Sequence, residues 1–345
     1  MTGRELIEMA VTAALVAVAC VLDLAGANAV VRFAAAAVAL ALLARVVGSA
    51  TEQLGGRLGP GGAGTVQSAL GNLPELFVAL FALHRGLTGV VKAALIGSVL
   101  ANGLLVLGIA FFTGGVRHGV QTFHSSRART IATLTLLAAA TLSIPSFAHE
   151  LHASAAAHER TLSLICAGVL LIIFFATLPI FLAGEANGLE RPRWSLPSTI
   201  VVLAAAAAGA VFVSDWFVSA LEPATSSLHM SDEFAGLVVV AIAGNAVENV
   251  VGVQLAARNQ IDFAVSVIVN SALQVALALT PVVVLLSLLF ATNLTLVFPP
   301  LLALVLLLAA VVIAFVVYDG ESTWPEGVVL VGLYVVIAAS FWWSA

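Results

Sequence analysis

Apolar runs alternate with short polar or glycine-rich breaks along nearly the whole chain. Runs near 20 residues match the length a helix needs to cross the hydrocarbon core of a bilayer. They predict about eleven spans, at 9–24, 33–51, 64–83, 88–112, 130–147, 161–183, 196–220, 234–257, 262–290, 296–317 and 327–342. The glycine-rich stretch 55–62 reads as a turn between the second and third. Pro281 predicts a kink in the ninth, because proline removes a helical donor and crowds the preceding turn. The connection 184–194 is the most polar and reads as the boundary between halves. Ala27, Asn28 and Ala29 resemble a signal-peptide cleavage site, but Glu5 and Glu8 beside Arg4 are not a positive flank, so 9–24 is expected to stay as a span.

One stretch breaks the apolar pattern with a purpose. Residues 71–108 carry a carboxylate, two asparagines and a serine within otherwise membrane-compatible sequence. Moved 173 positions along without a gap, Gly71, Asn72, Glu75, Val78, Arg85 and Ser98 fall on Gly244, Asn245, Glu248, Val251, Arg258 and Ser271. Hydrophobicity alone would not reproduce the polar members of this set. Two matching intramembrane glutamates suggest a transporter built from repeats, with its site where the repeats meet.

Composition agrees: 61% of residues are hydrophobic and 9% charged, far from a soluble domain. The net charge of −5 contains no basic run, which argues against nucleic acid, and Cys20 and Cys166 lie in apolar segments, so neither a disulfide framework nor a thiolate metal site is expected. Nine of the thirteen Lys and Arg residues fall on the N-terminal side of the predicted membrane; Arg32, Arg85, Lys92 and Arg160 fall on the other. The positive-inside rule then makes the N-terminus cytoplasmic and the C-terminus external, in a multi-pass protein of the plasma (inner) membrane. The expected fold is an all-α integral membrane protein: an N-terminal helix (1–32), a five-helix repeat (33–183), a connecting loop (184–196) and a second five-helix repeat (197–345). Repeats with an odd number of spans are inverted, the architecture that opens one central site to either side in turn.

Asn72 and Glu75 are spaced i, i+3, as are Asn245 and Glu248, so amide and carboxylate share a helix face in each repeat. Pro74 and Gly71 predict that the third span is broken beside Glu75, freeing backbone carbonyls. Ser98 with Asn102, and Ser271 with Gln274, add oxygens on the following spans. This set holds carboxylate, amide and hydroxyl oxygens without thiol or imidazole, which suits a hard cation of the calcium type better than zinc. An isolated Asn or Ser in a membrane helix is commonly interhelical glue, but an intramembrane carboxylate has no inexpensive structural role. Gly97, Gly103 and Gly108 are read as sites of close helix approach.

GNLPELFVAL followed by GSVLANGLLVLG, and GNAVENVVGV followed by NSALQVAL, closely resemble the two signature repeats of the calcium/proton antiporters within the cation/calcium exchanger superfamily. SATEQL, ERTLSLICAGVLLIIFFATLPIF and SDWFVSALEPATSSLHMSDEFAG resemble that family's intervening segments, so the likeness covers nearly the whole chain. It implies eleven spans and exchange of Ca2+ for H+, with Glu75 and Glu248 as central ligands, no cofactor and no enzymatic activity. Three positions depart from the pattern: Asn249 stands where histidine is usual, Leu73 where alanine is, and Asp215 where glutamate is. The alternatives are a sodium-coupled exchanger of the same superfamily, whose repeats usually carry glycine-threonine, and an intramembrane enzyme using the carboxylates as acid and base.

Outside the centre, Glu52 and Asp215 are read as acids of the ion pathway, at the cytoplasmic and external mouths, against the plainer reading that each caps a helix end. The loop 149–158 (HELHASAAAH) lacks the His-Glu-x-x-His spacing of a helical metal site and is expected to be solvated. Trp342 and Trp343 are read as interfacial anchors.

Overall fold

A computed structural model describes residues 2–185 and 192–343, with side chains at 58–69, 125, 127, 179–185, 247 and 248 left aside. Its helices, in chain order, are α1 (Gly3–Leu24), α2 (Ala29–Leu70), α3 (Leu73–His84), α4 (Thr88–Leu100), α5 (Leu107–His118), α6 (Ser125–Glu150), α7 (Glu159–Glu185) and α8 (Leu196–Leu228). The second half continues with α9 (Asp232–Phe234), α10 (Ala241–Gly244), α11 (Ala246–Ala257), α12 (Ile261–Gln274), α13 (Thr280–Ser287), α14 (Pro300–Val316) and α15 (Trp324–Trp342). Two-residue strands β1 (Gln121–Thr122) and β2 (Glu321–Ser322) pair antiparallel and tie the loop after α5 to the loop after α14. Among the described residues eight helices are long and apolar enough to span, or nine counting one bent pair, and α3 and α14 are shorter apolar helices.

Several boundaries differ from the sequence reading. Residues 55–62, expected to turn, lie inside α2, which runs unbroken to Leu70; a glycine costs a helix only about 1 kcal/mol, so a helix already formed can run through the glycines. The expected third span is therefore split, its second half being the short α3. The eighth span is broken as well: the segment Asp232–Gly244 meets Asn249–Ala257 at 62°. In the ninth, a π-helical turn at Val275–Leu279 ends two residues before Pro281, and the Thr280 hydroxyl donates to the Val275 carbonyl at 2.8 Å. The wider turn makes room for the proline ring, and Ile261–Ser287 continues as one span.

The tenth span begins four residues later than expected, at Pro300, because the stretch before it is extended. The N–H groups of Leu294, Leu296 and Phe298 are satisfied by the hydroxyls of Ser287, Ser163 and Ser146, each at 2.9 Å, and Lys92 donates to the Val297 carbonyl. Buried backbone that is neither helix nor sheet persists only when side chains pair it in this way.

The core sits between the two central spans. The apolar windows of Thr88–His118 and Ile261–Ser287 are 83% buried, against 11% for α1, whose outer face is left for lipid. Helix α2 lies along α8, with Phe33 stacked on Phe217 at 4.8 Å. The expected close approaches are real: a Cβ at Gly108 would lie 2.8 Å from the Gly327 carbonyl, and one at Gly103 would meet Ile313. Trp342, expected as an interfacial anchor, packs edge-on against Phe234 at 4.6 Å, while Trp343 is exposed. In the expected solvated loop, Ser154–His158 forms a short 3₁₀ turn and the His149 ring pairs with Glu159.

Candidate functional site

Both repeated asparagines sit at helix breaks with nearly the same backbone: φ −95°, ψ 16° at Asn72 and φ −93°, ψ 20° at Asn245. At the first break Pro74 occupies the opening turn of α3, where its missing N–H costs nothing. The second break has no proline. It is held by Asn245, whose amide Nδ2 donates to the Ala241 carbonyl at 2.9 Å, and by Asn249, whose Nδ2 donates to the Ile242 carbonyl at 3.3 Å. Asn249 thus satisfies a carbonyl freed by the break, at the position where the resembled family has an imidazole.

Five polar residues from five segments converge between the breaks. Glu75, 8% exposed at the start of α3, accepts at Oε1 from Ser98 Oγ (2.9 Å) and Asn245 Nδ2 (2.5 Å). Asn245 Nδ2 also reaches Ser98 Oγ at 3.0 Å, and its Oδ1 accepts from Asn102 Nδ2 at 2.8 Å and Ser271 Oγ at 3.4 Å. Asn102 Nδ2 lies 3.1 Å from Ser271 Oγ, and its buried Oδ1 has no hydrogen-bond partner among the described residues. Asn102 stands in the π-helical turn Ala101–Val106, which matches the Val275–Leu279 turn under the 173-residue shift. The close approach also explains a repeated glycine: a Cβ at Gly244 would lie 2.5 Å from Glu75 Cγ.

The other residues singled out in the sequence fall around this centre. Asn72 ends the first break without a side-chain cap bond, and Gln274 is buried at the end of α12. The side chain of Glu248 lies outside the described residues, although its backbone is in α11, one turn past Asn245. Glu52 is exposed on α2. Asp215, on α8, is paired with Arg85 at the end of α3 at 2.8 Å. One residue escaped the sequence reading: Asn270, buried beside Ser271, stands where the first repeat has Gly97, and that exchange of glycine for amide was the signal.

One side of the cluster is closed by backbone contact. A Cβ at Gly97 would collide with the Leu237 backbone, and one at Gly236 would lie 2.6 Å from the Val90 carbonyl, so α4 is seated directly on the π-helical turn Ala235–Val240. The grouped oxygens, one carboxylate with amides and hydroxyls, can coordinate a hard cation or hold a proton.

A sequence profile described as Sodium/calcium exchanger protein matches residues 28–183 and 198–343. The chain is 34% identical to the Ca(2+)/H(+) antiporter ChaA of Bacillus subtilis (strain 168), over 90% of this chain and 92% of that protein. It is 31% identical to a Ca(2+)/H(+) antiporter of Synechocystis sp., over 90% of each. Among solved structures, YfkE superposes with a TM-score of 0.84 at 31% identity, covering 97% of this chain and 99% of that one. The H+/Ca2+ exchanger CAX, with a TM-score of 0.73 over 98% of this chain and 92% of that one, is 14% identical and shares the fold. The matched segments take in most of both halves, and the chain belongs to the sodium/calcium exchanger protein family.

Proposed function

We propose that this multi-pass membrane protein exchanges Ca2+ for H+ through one central site in which Glu75 and Glu248 are the charged ligands and Asn72, Asn245, Ser98 and Ser271 supply neutral oxygens. The observation that carries the reading is the hydrogen bonding of Glu75 by Asn245 and Ser98, which places a carboxylate where two helix breaks cross. Relatives named as Ca2+/H+ antiporters at 31–34% identity over 90% of this chain support the choice of ions.

Charge accounts for the coupling. Two carboxylates neutralise one Ca2+, and two protons neutralise the carboxylates. An empty ionised pair would leave two charges that each cost at least ~2.5 kcal/mol at mid-membrane, so switching sides while empty is disfavoured. Asn102 and Gln274 line the way to the site, with Glu52 at the cytoplasmic mouth and Asp215 at the external one. The N-terminus is cytoplasmic, the C-terminus external and the membrane the plasma membrane. The halves 33–183 and 197–345 are inverted repeats, a division supported by the two segments matched by the family profile and by equivalent breaks and π-helical turns 173 residues apart.

Purified protein in sealed vesicles tests this directly. An imposed pH gradient should drive Ca2+ uptake in the wild type and not in Glu75→Gln or Glu248→Gln. Uptake driven by a sodium gradient instead would replace the proton as coupling ion.

A further inference from the structure

Helix α12 carries Asp262, Ser266, Asn270 and Gln274 at intervals of four residues, a stripe that drifts slowly around the helix and ends beside Ser271. Their counterparts 173 positions earlier are Gly89, Ala93, Gly97 and Ala101, all small, and there the equivalent helix is packed tightly against backbone at Gly97. The first repeat therefore builds the same helix without the polar groups, and the fold does not require them.

Near the mouth of α12 Phe263 is exposed and Val267 half-buried, but in the inner part of the helix, from Ile268 on, what exposure remains is on that side. Asn270 is 8% exposed, Ser271 6% and Gln274 8%, whereas Ile268, Val269, Ala272 and Leu273 are each at 1% or less. Asn270 is more than nine-tenths buried, yet among the described residues its Oδ1 has no hydrogen-bond partner, so nothing there uses it as glue between helices. An amide oxygen left unmatched against lipid or apolar protein is costly, but one facing a thread of water or a passing cation is not. At the other end of the stripe an open polar recess is bounded by His118, Asn259, Gln260 and Asp262, with His124 holding Asp262 at 2.7 Å.

We propose that the Asp262–Ser266–Asn270–Gln274 stripe is the hydrated access route from this recess to the central site, and that Asn270 is a further positioning residue whose carbonyl replaces a water of the entering cation. The inference rests on the cation reading of the Glu75 site. Neutral amide and hydroxyl oxygens with one carboxylate at the mouth suit a partly hydrated divalent cation, which exchanges water for protein oxygen stepwise.

The experiment uses cysteine substitutions in full-length protein whose Cys20 and Cys166 have been replaced, in sealed vesicles with a membrane-impermeant thiol reagent. Ser266→Cys and Asn270→Cys should react from the same side as Asn259→Cys and not from the other, with Ca2+ slowing position 270, while Ala93→Cys stays unreactive. Asn270→Leu, close in size, should raise the KM for Ca2+ about fivefold, the scale of one net hydrogen bond, and Asn270→Ser should restore most of it. Unreactive 266 and 270, or an Asn270→Leu KM within about twofold of wild type, would overturn the route even where Glu75→Gln abolishes exchange. Exchange surviving in Glu75→Gln would instead overturn the cation site and, with it, the role given to Asn270. Should Asn270→Leu fail to fold, the labelling at 270 decides.

Discussion

At Glu75 a single carboxylate oxygen accepts from both Ser98 and Asn245, so its charge is stabilised by residues from both repeats. Hydrogen bonds to a charged group contribute about 1.5–3 kcal/mol, so Asn245→Ala should lower Ca2+ exchange by at least about tenfold while the protein still assembles in the membrane. Glu75→Gln keeps the shape and removes the charge that both cation and proton need; exchange should fall to background in a vesicle assay. Because protonated carboxylates are poor ligands, the KM for Ca2+ should rise as pH falls. Asn249 donates to the Ile242 carbonyl and has no proton to exchange in this range. Asn249→His should therefore add a transition near ~6.5 to the pH profile of uptake, where an ordinary imidazole titrates, that the wild type lacks.

The helix breaks are the elements that build the site. Glu75 occupies the space in which a side chain at 244 would stand, so Gly244→Ala forces either the break or the carboxylate to move. Overpacking of this kind costs about 1–3 kcal/mol, and here the strain falls on Glu75. Gly244→Ala should therefore reduce exchange by about tenfold or more with only a modest loss of thermal stability, checked by transport alongside melting in detergent. The extended stretch before α14 works differently. Its backbone is tied by serines from three helices, which fixes α6, α7 and α13 to one another at one end of the bundle.

For the whole molecule the test is sidedness. Glu52 and Asp215 stand on α2 and α8, the two long helices that lie along each other, and Asp215 is bound to Arg85 across the halves. That pair is about 40% exposed on both sides, so it contributes ~1 kcal/mol at most to stability. Cysteine at 52 should react with an impermeant reagent only from the N-terminal side of the membrane and cysteine at 215 only from the other, with Ca2+ slowing both. Reversed sidedness would overturn the topology; labelling insensitive to Ca2+ would remove both acids from the pathway, and since Glu52 lies inside α2 and Asp215 inside α8, neither caps a helix end.

The sequence by itself determined that this is a membrane protein, and it singled out the five residues that the structure brings together, Glu75, Ser98, Asn102, Asn245 and Ser271. Polar groups in an apolar span are few and costly, so Asn72, Glu75 and Ser98 and their partners 173 residues on stood out with little else to explain them. It also marked the first break, because Pro74 acts locally on the backbone beside it. Only the tertiary structure decided the second break, which has no proline and is held by the side chains of Asn245 and Asn249 and by the close approach of Glu75 to Gly244. Only it decided that the apolar stretch before Pro300 is extended, since the hydroxyls of Ser146 and Ser163 that release it from helix lie more than a hundred residues away. Local chain preference is written in neighbouring residues, whereas hydrogen bonds between distant segments exist only once packing has brought those segments together.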